Sequence, residues 1–175
     1  MSTTAIEKVL IFDTDNFYRR VIYNLLLSFE VPAVVQAAEY SKAANILKIK
    51  SFDLIVMDWD MDGGSRLDLV KNLRNGKLGP NIWTPVLLCS AHNRKSRIYQ
   101  ARDAGISEIV AKPVSPQQML DKMRASCFRM RRFVRSENFS GPDRRRRSVA
   151  YLDEDRRSKV SMDQDDIDAV MRESE

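Results

Sequence analysis

Asp13, Asp58, Ser90 and Lys112 stand at or just past the ends of four short apolar runs, "KVLIF", "DLIVM", "TPVLLCS" and "SEIVA". Two carboxylates, a hydroxyl and an ammonium on one edge can handle a phosphoryl group. Mg²⁺ takes a few carboxylates plus waters and phosphate oxygens. Asp58, at the centre, can act as the nucleophile. Ser90 can donate a hydrogen bond to one phosphoryl oxygen, and the Lys112 ammonium can balance another. The stretch "SFDLIVMDWDMDGG" sharpens the case, because it crowds Asp58, Asp60 and Asp62 into one turn. Two unit charges about 4 Å apart repel by roughly 4 kcal/mol at an effective dielectric near 20. Such a cluster must face water, pair with cations or hold a metal. A purely structural charge cluster is the competing reading.

Those positions make sense only if the elements behind them alternate. "KVLIF" (8–12), "AVVQA" (33–37), "DLIVM" (53–57), "TPVLLCS" (84–90) and "SEIVA" (107–111) read as five strands without polar alternation. Between them run helical patterns. Asn16 is the expected cap of a first helix carrying Phe17, Val21, Leu25, Leu26 and Phe29 on one face. Tyr40, Ala43, Ala44 and Leu47 mark the second helix, Gly76 stops the third, and "KSRIYQARDAG" is the fourth. Ser115, Pro116 and Gln118 start a fifth, expected to continue past Met130 along Met119, Met123, Cys127, Met130 and Val134. Apolar strands alternating with helices predict an α/β, flavodoxin-like doubly wound five-stranded parallel sheet, with ligands at the carboxyl ends of its strands.

On the pieces "VLIFDTD", "DLIVMD", "PVLLCSAH" and "ARDAGISEIVAKP", the chain resembles a CheY-like response-regulator receiver domain across about residues 8–126. The resemblance implies phosphoacceptance at Asp58, assisted by Ser90 and Lys112. It also implies a Mg²⁺ site from Asp13, Asp58 and residue 60, where Asp60 gives its backbone carbonyl, and a cis Lys112–Pro113 peptide. A sensor histidine kinase or phosphotransfer protein is the implied donor. Three residues depart from the family pattern. Thr14 replaces a second acid, which weakens the metal site unless Asp15 or Asp60 compensates. Asp62-Gly63 replaces Pro-Gly, and Ile109 replaces the aromatic residue of the fifth strand. A degenerate pseudo-receiver acting as a phosphorylation-independent adaptor is therefore the alternative.

The charge distribution divides the rest. The chain of 175 residues carries a formal net charge of +5, yet residues 129–147 hold eight basic and two acidic side chains, and 148–175 hold four basic and nine acidic. The expected divisions are a receiver at 1–130, an arginine-rich extension at 131–160 and an acidic amphipathic segment at 161–175, with the tail largely disordered. In "GPDRRRR" and "DEDRRSK", Asp143, Arg144, Arg145, Arg146, Arg147, Asp155, Arg156 and Arg157 combine arginine forks with carboxylates. That combination suits a guanine nucleotide carrying phosphates, and a solvated basic linker is the plain reading. The extension is similar to that of Cle-type CheY-like proteins, which implies cyclic di-GMP binding and action on the flagellar motor. "SMDQDDIDAVM" is similar to the amino-terminal peptide of the flagellar switch protein FliM, which docks on receivers.

The expected protein is a cytoplasmic signalling switch, with no catalysis beyond self-phosphorylation and autodephosphorylation. Its partners are the flagellar switch or another signalling protein and a nucleotide second messenger. No apolar run approaches a membrane span, and no helix-turn-helix region follows residue 130 to favour DNA. Cys89 and Cys127 read as reduced thiols, and the single His92 argues against histidine metal or acid–base chemistry.

Overall fold

The computed structural model describes residues 6–59, 65–91, 94–145 and 160–162. Five parallel strands, β1 (Lys8–Phe12), β2 (Ala33–Ala37), β3 (Leu54–Asp58), β4 (Val86–Ser90) and β5 (Glu108–Ala111), lie in the order β2-β1-β3-β4-β5. The connecting helices are α1 (Asn16–Ser28), α2 (Tyr40–Ile49), α3 (Ser65–Arg74), α4 (Lys95–Ala104) and α5 (Pro116–Phe128). Successive strand residues point to opposite faces, which splits the core in two. Leu10, Phe12, Ile55, Met57 and Leu88 pack with α2, α3 and α4 through Leu47, Leu73 and Ala101. Val9, Ile11, Val56 and Leu87 pack with α1 and α5 through Ile22, Leu26, Met119 and Met123. Each such Leu, Ile or Val contributes about 1.5–3 kcal/mol on burial. The doubly wound sheet expected from the strand pattern is the architecture observed.

Local signals explain the helix ends. Asp15, rather than Asn16, caps α1, its Oδ1 accepting from the backbone N–H of Phe17 at 2.7 Å and of Tyr18 at 3.3 Å. The buried face of α1 is Ile22 and Leu26, whereas Phe17 is 69% exposed. Ser115 caps α5 by accepting from the Gln118 N–H, with Pro116 in the first turn, as expected.

The C-terminal extension differs from the sequence expectation. Helix α5 ends at Phe128, and the apolar residues beyond it do not continue its stripe. They form strand β6 (Phe133–Ser136), paired antiparallel with β7 (Phe139–Pro142) and with β8 (Val160–Met162). The stretch 133–142 is thus an ordered hairpin where a flexible tail is expected. The physical reason is a socket at the amino-terminal end of the sheet. Buried Phe133 meets Trp83 edge-on, ring centres 4.3 Å apart, and β7 lies against α3 and α4. Gly105 at the end of α4 has φ +96°, and Gly141 of the hairpin backs onto it. A Cβ on Gly141 would come within 2.9 Å of the Gly105 Cα, so both glycines are needed for the close approach.

Arg74, the last residue of α3, is sealed beneath this hairpin. Its Nε donates to the Gly105 carbonyl at 3.1 Å, and its Nη1 donates to the carbonyls of Ile82 and Thr84 at 2.5 and 2.9 Å. The Phe133 ring lies 5.5 Å from its guanidinium carbon. Among the described residues no acceptor meets Nη2. Burial pushes its pKa down to about 9. Ser140 adds a hydrogen bond from its hydroxyl to the Arg74 carbonyl at 2.9 Å.

Candidate phosphoacceptor site

Strand register delivers the four chemical residues to one edge. Phe12 pairs with Met57, so Asp13 and Asp58 are the next residues of adjacent strands. Asp58 pairs with Cys89 and Ser90 with Ala111, which puts Ser90 and Lys112 one step further along β4 and β5. Asp13, Asp58 and Ser90 are all buried. Lys112 reaches across to Asp58, Nζ to Oδ1 at 2.5 Å, with side chains only 6% and 3% exposed. Its backbone N–H donates to the Ser90 carbonyl at 2.8 Å, and the Lys112–Pro113 peptide is cis, as the family resemblance implies.

A buried ion pair adds little net stability, because desolvation cancels most of the attraction. Its use here is positional: it holds an ammonium against a carboxylate oxygen. The Lys112 Nζ also lies 3.9 Å from the centre of the Tyr18 ring. A desolvated cation over an aromatic face contributes about 2 kcal/mol. Sequence reasoning missed Tyr18, since nothing in a helical pattern shows which ring will meet a lysine from a distant strand. Asp13 is fixed from α1 as well: its Oδ1 accepts from the Asp15 N–H at 2.8 Å and its carbonyl accepts from Arg19 Nη1 at 2.8 Å.

The neighbouring thiol records this electrostatic setting. Burial pushes the Cys89 pKa up to about 12, with Lys112 lowering it and the charges of Asp58 and Asp13 raising it further. Cys89 is therefore not a thiolate near neutral pH. Asp13 and Asp58 are hard oxygen donors on adjacent strand ends, a donor set that fits Mg²⁺. Among the described residues no third Asp, Glu, His or Cys completes a cluster with them, and Asp15 caps α1 instead of compensating for Thr14. Asp60 lies outside the described residues.

A groove of about 650 Å³ starts at Ser90 and Lys112 and runs along α4 and β5 past Tyr99 to Arg102, Arg131 and Arg144. Arg144 pairs with Asp103 at 3.1 Å and lies 4.3 Å from the Phe139 ring centre. Desolvation acts to raise the Asp103 carboxyl, but Arg144 and Arg102 outweigh it and hold it below the ordinary range. Arg131 donates to the carbonyls of Asp143, Ile106 and Ser107, stitching the extension to β5. Asp143 and Arg145 pair with each other at 3.3 Å. Of the sequence-predicted arginines, Arg144 thus lines the groove. Arg102 and Arg131, which join it there, were not singled out. Arg146, Arg147, Asp155, Arg156, Arg157 and the segment 163–175 lie outside the described residues.

Known proteins resemble the chain over the residues that build the five-stranded fold. Residues 9–124 match the family described as the response regulator receiver domain. The chain is 31% identical over 116 residues to the chemotaxis protein CheY-3 of Vibrio cholerae serotype O1, covering 66% of this chain and 88% of that protein. It is also 31% identical to the chemotaxis protein CheY of Pseudomonas aeruginosa, over 66% of this chain and 92% of that one. Among solved structures, Vibrio cholerae CheY4 superposes with a TM-score of 0.62 at 22% identity, covering 70% of this chain and 99% of that one. The receiver domain of Francisella response regulator 1452 gives 0.61 at 24%, covering 70% and 98%. No helix among the described residues is long and apolar enough to cross a membrane.

Proposed function

The chain belongs to the response-regulator receiver family, as a CheY-like response regulator, and we propose that it is switched by phosphorylation at Asp58 and tuned by cyclic di-GMP at its arginine-rich extension. The observation that carries the first half is the buried Lys112–Asp58 pair beside Ser90 on the carboxyl edge of the sheet. A phosphohistidine on a sensor kinase or phosphotransfer protein supplies the group. An Asp58 carboxylate oxygen forms the new P–O bond while the donor's P–N bond breaks. Its electron pair leaves with the imidazole nitrogen, which takes up a proton. Lys112 follows the charge onto a phosphoryl oxygen, and the Ser90 hydroxyl donates to another. Asp13 and Asp58 would hold Mg²⁺, with the residue 60 carbonyl that the family resemblance implies, and a bound ion would withdraw charge from the phosphoryl oxygens. The test is incubation of the full chain with a small phosphodonor and Mg²⁺. A mass gain of one phosphoryl group that Asp58→Asn abolishes sustains the reading. No gain ends it and leaves the phosphorylation-independent adaptor, the second reading, which Thr14 at the metal site favours.

The groove supports the nucleotide half. Its far end offers guanidinium groups from Arg102 and Arg144 for phosphates and the exposed Tyr99 ring for a base. Occupancy there would touch the same surface that reaches Lys112, which is how a nucleotide and a phosphoryl group could be read together by one partner. The relatives are named as chemotaxis proteins, which supports a flagellar switch or other signalling protein in that role. Asp103 competes with ligand phosphate for Arg144, and an exposed pair of this kind is worth up to about 1 kcal/mol. Asp103→Asn is therefore expected to tighten cyclic di-GMP binding up to about fivefold in calorimetric titration. Arg144→Ala, which removes a charge-assisted hydrogen bond of about 1.5–3 kcal/mol, is expected to weaken it roughly 10- to 100-fold. Binding that ignores both substitutions would place the nucleotide elsewhere, and an absence of heat would remove it.

A further inference from the structure

The first turn of α1 touches both charged ends of the site. Asp15 and Arg19 hold Asp13 through its carboxylate and its carbonyl, and Tyr18 covers the Lys112 ammonium. Tyr18 has a second neighbour. The ring of Phe17 meets it edge-to-face, with centroids 5.5 Å apart and planes at 81°. Phe17 is an apolar side chain 69% exposed on a helix whose buried face lies elsewhere. A continuous line of contact therefore runs from Asp58 through Lys112 and Tyr18 to an aromatic ring in solvent.

We propose that Tyr18 is a positioning residue for Lys112 and that, with Phe17, it reports the charge state of Asp58 on the first turn of α1. This rests on Asp58 being the phosphoacceptor. In the resting protein the ammonium lies against both the Asp58 carboxylate and the face of the Tyr18 ring. Both attract it electrostatically, and the pair is nearly dry. Phosphorylation places anionic oxygens beyond the original carboxylate. The ammonium cannot stay against Oδ1 and also pair with them, so it moves and the ring loses its cation. Tyr18 then has no reason to keep its rotamer. Because the Phe17 ring packs against it edge-on, the change reaches the surface without any shift of the sheet.

The test uses the full chain with 4-fluorophenylalanine at position 17 alone and reads its fluorine resonance. Addition of a small phosphodonor and Mg²⁺ is expected to move that resonance in parallel with labelling of Asp58. Tyr18→Phe keeps the aromatic face and is expected to keep the shift. Tyr18→Leu is expected to slow labelling of Asp58 and to lose the shift even in the fraction that is labelled. A second arm does not need phosphorylation: Asp58→Asn removes the carboxylate charge and is expected to move the same resonance in the Tyr18 protein but not in Tyr18→Leu. Should labelling fail while the Asp58→Asn arm responds, the contact route stands and the phosphoacceptor reading falls. A resonance that moves equally in the Tyr18 and Tyr18→Leu proteins, or one that ignores both labelling and Asp58→Asn, overturns the proposal.

Discussion

Arg74→Ala lowers the unfolding free energy by about 3–5 kcal/mol, read as a fall in the urea midpoint at unchanged slope. Two buried carbonyls, from Gly105 and Thr84, and the part-buried carbonyl of Ile82 accept from this one guanidinium. Leaving a buried acceptor unpaired costs about 1–3 kcal/mol, and even with some water entry the sum is large. Arg74→Lys should recover only part of the loss, because a single ammonium cannot reproduce the planar fork. The charge itself opposes folding. Burial lowers the Arg74 pKa to about 9, well below the ordinary guanidinium range, so above about pH 9 the unfolded chain binds more protons. That penalty is full well below pH 9 and fades as pH rises above it. A loss under about 1 kcal/mol for Arg74→Ala would mean that the hairpin can relax around the gap, contrary to the packing described.

Thr14→Asp should tighten Mg²⁺ binding at least about tenfold, since it adds a carboxylate beside Asp13 where a hydroxyl now stands, and even indirect partners of a metal change affinity 10- to 100-fold. Trp59 follows Asp58 directly, so its fluorescence during a Mg²⁺ titration is the measurement. Trp83, half-buried against Phe133 at the other end of the sheet, is background. The phosphodonor reaction should then proceed at correspondingly lower Mg²⁺. An unchanged titration would show that residue 14 does not face the ion.

The receiver was legible because its information is local. Apolar runs of about five residues ending in Asp, Ser or Lys can be read without knowing what lies opposite, and parallel register then forces those ends together. The extension was not legible for the opposite reason. Met119, Met123, Cys127, Met130 and Val134 fit a helical period, and only the socket around Trp83 and Arg74 shows that Phe133 and Phe139 belong to strands. The signal that could have found the hairpin is two short runs, "FVRS" and "FSGP", separated by the two residues Glu137-Asn138. Arg74 carries no such signal, because burial of an arginine without a carboxylate has no mark in the sequence. Tyr18 was hidden likewise, its partner lying more than ninety residues away in the chain.

Strand β6 has β7 on one side and β8 on the other, with Phe133 opposite both Pro142 and Met162. A strand paired on both sides leaves its place only when two ladders break together, so β6 is the strand of the extension that is hardest to peel away. By mass action, a ligand gripping both Arg144 and Arg102 would raise the melting temperature of the receiver, because freeing the extension from α4 would mean letting that ligand go.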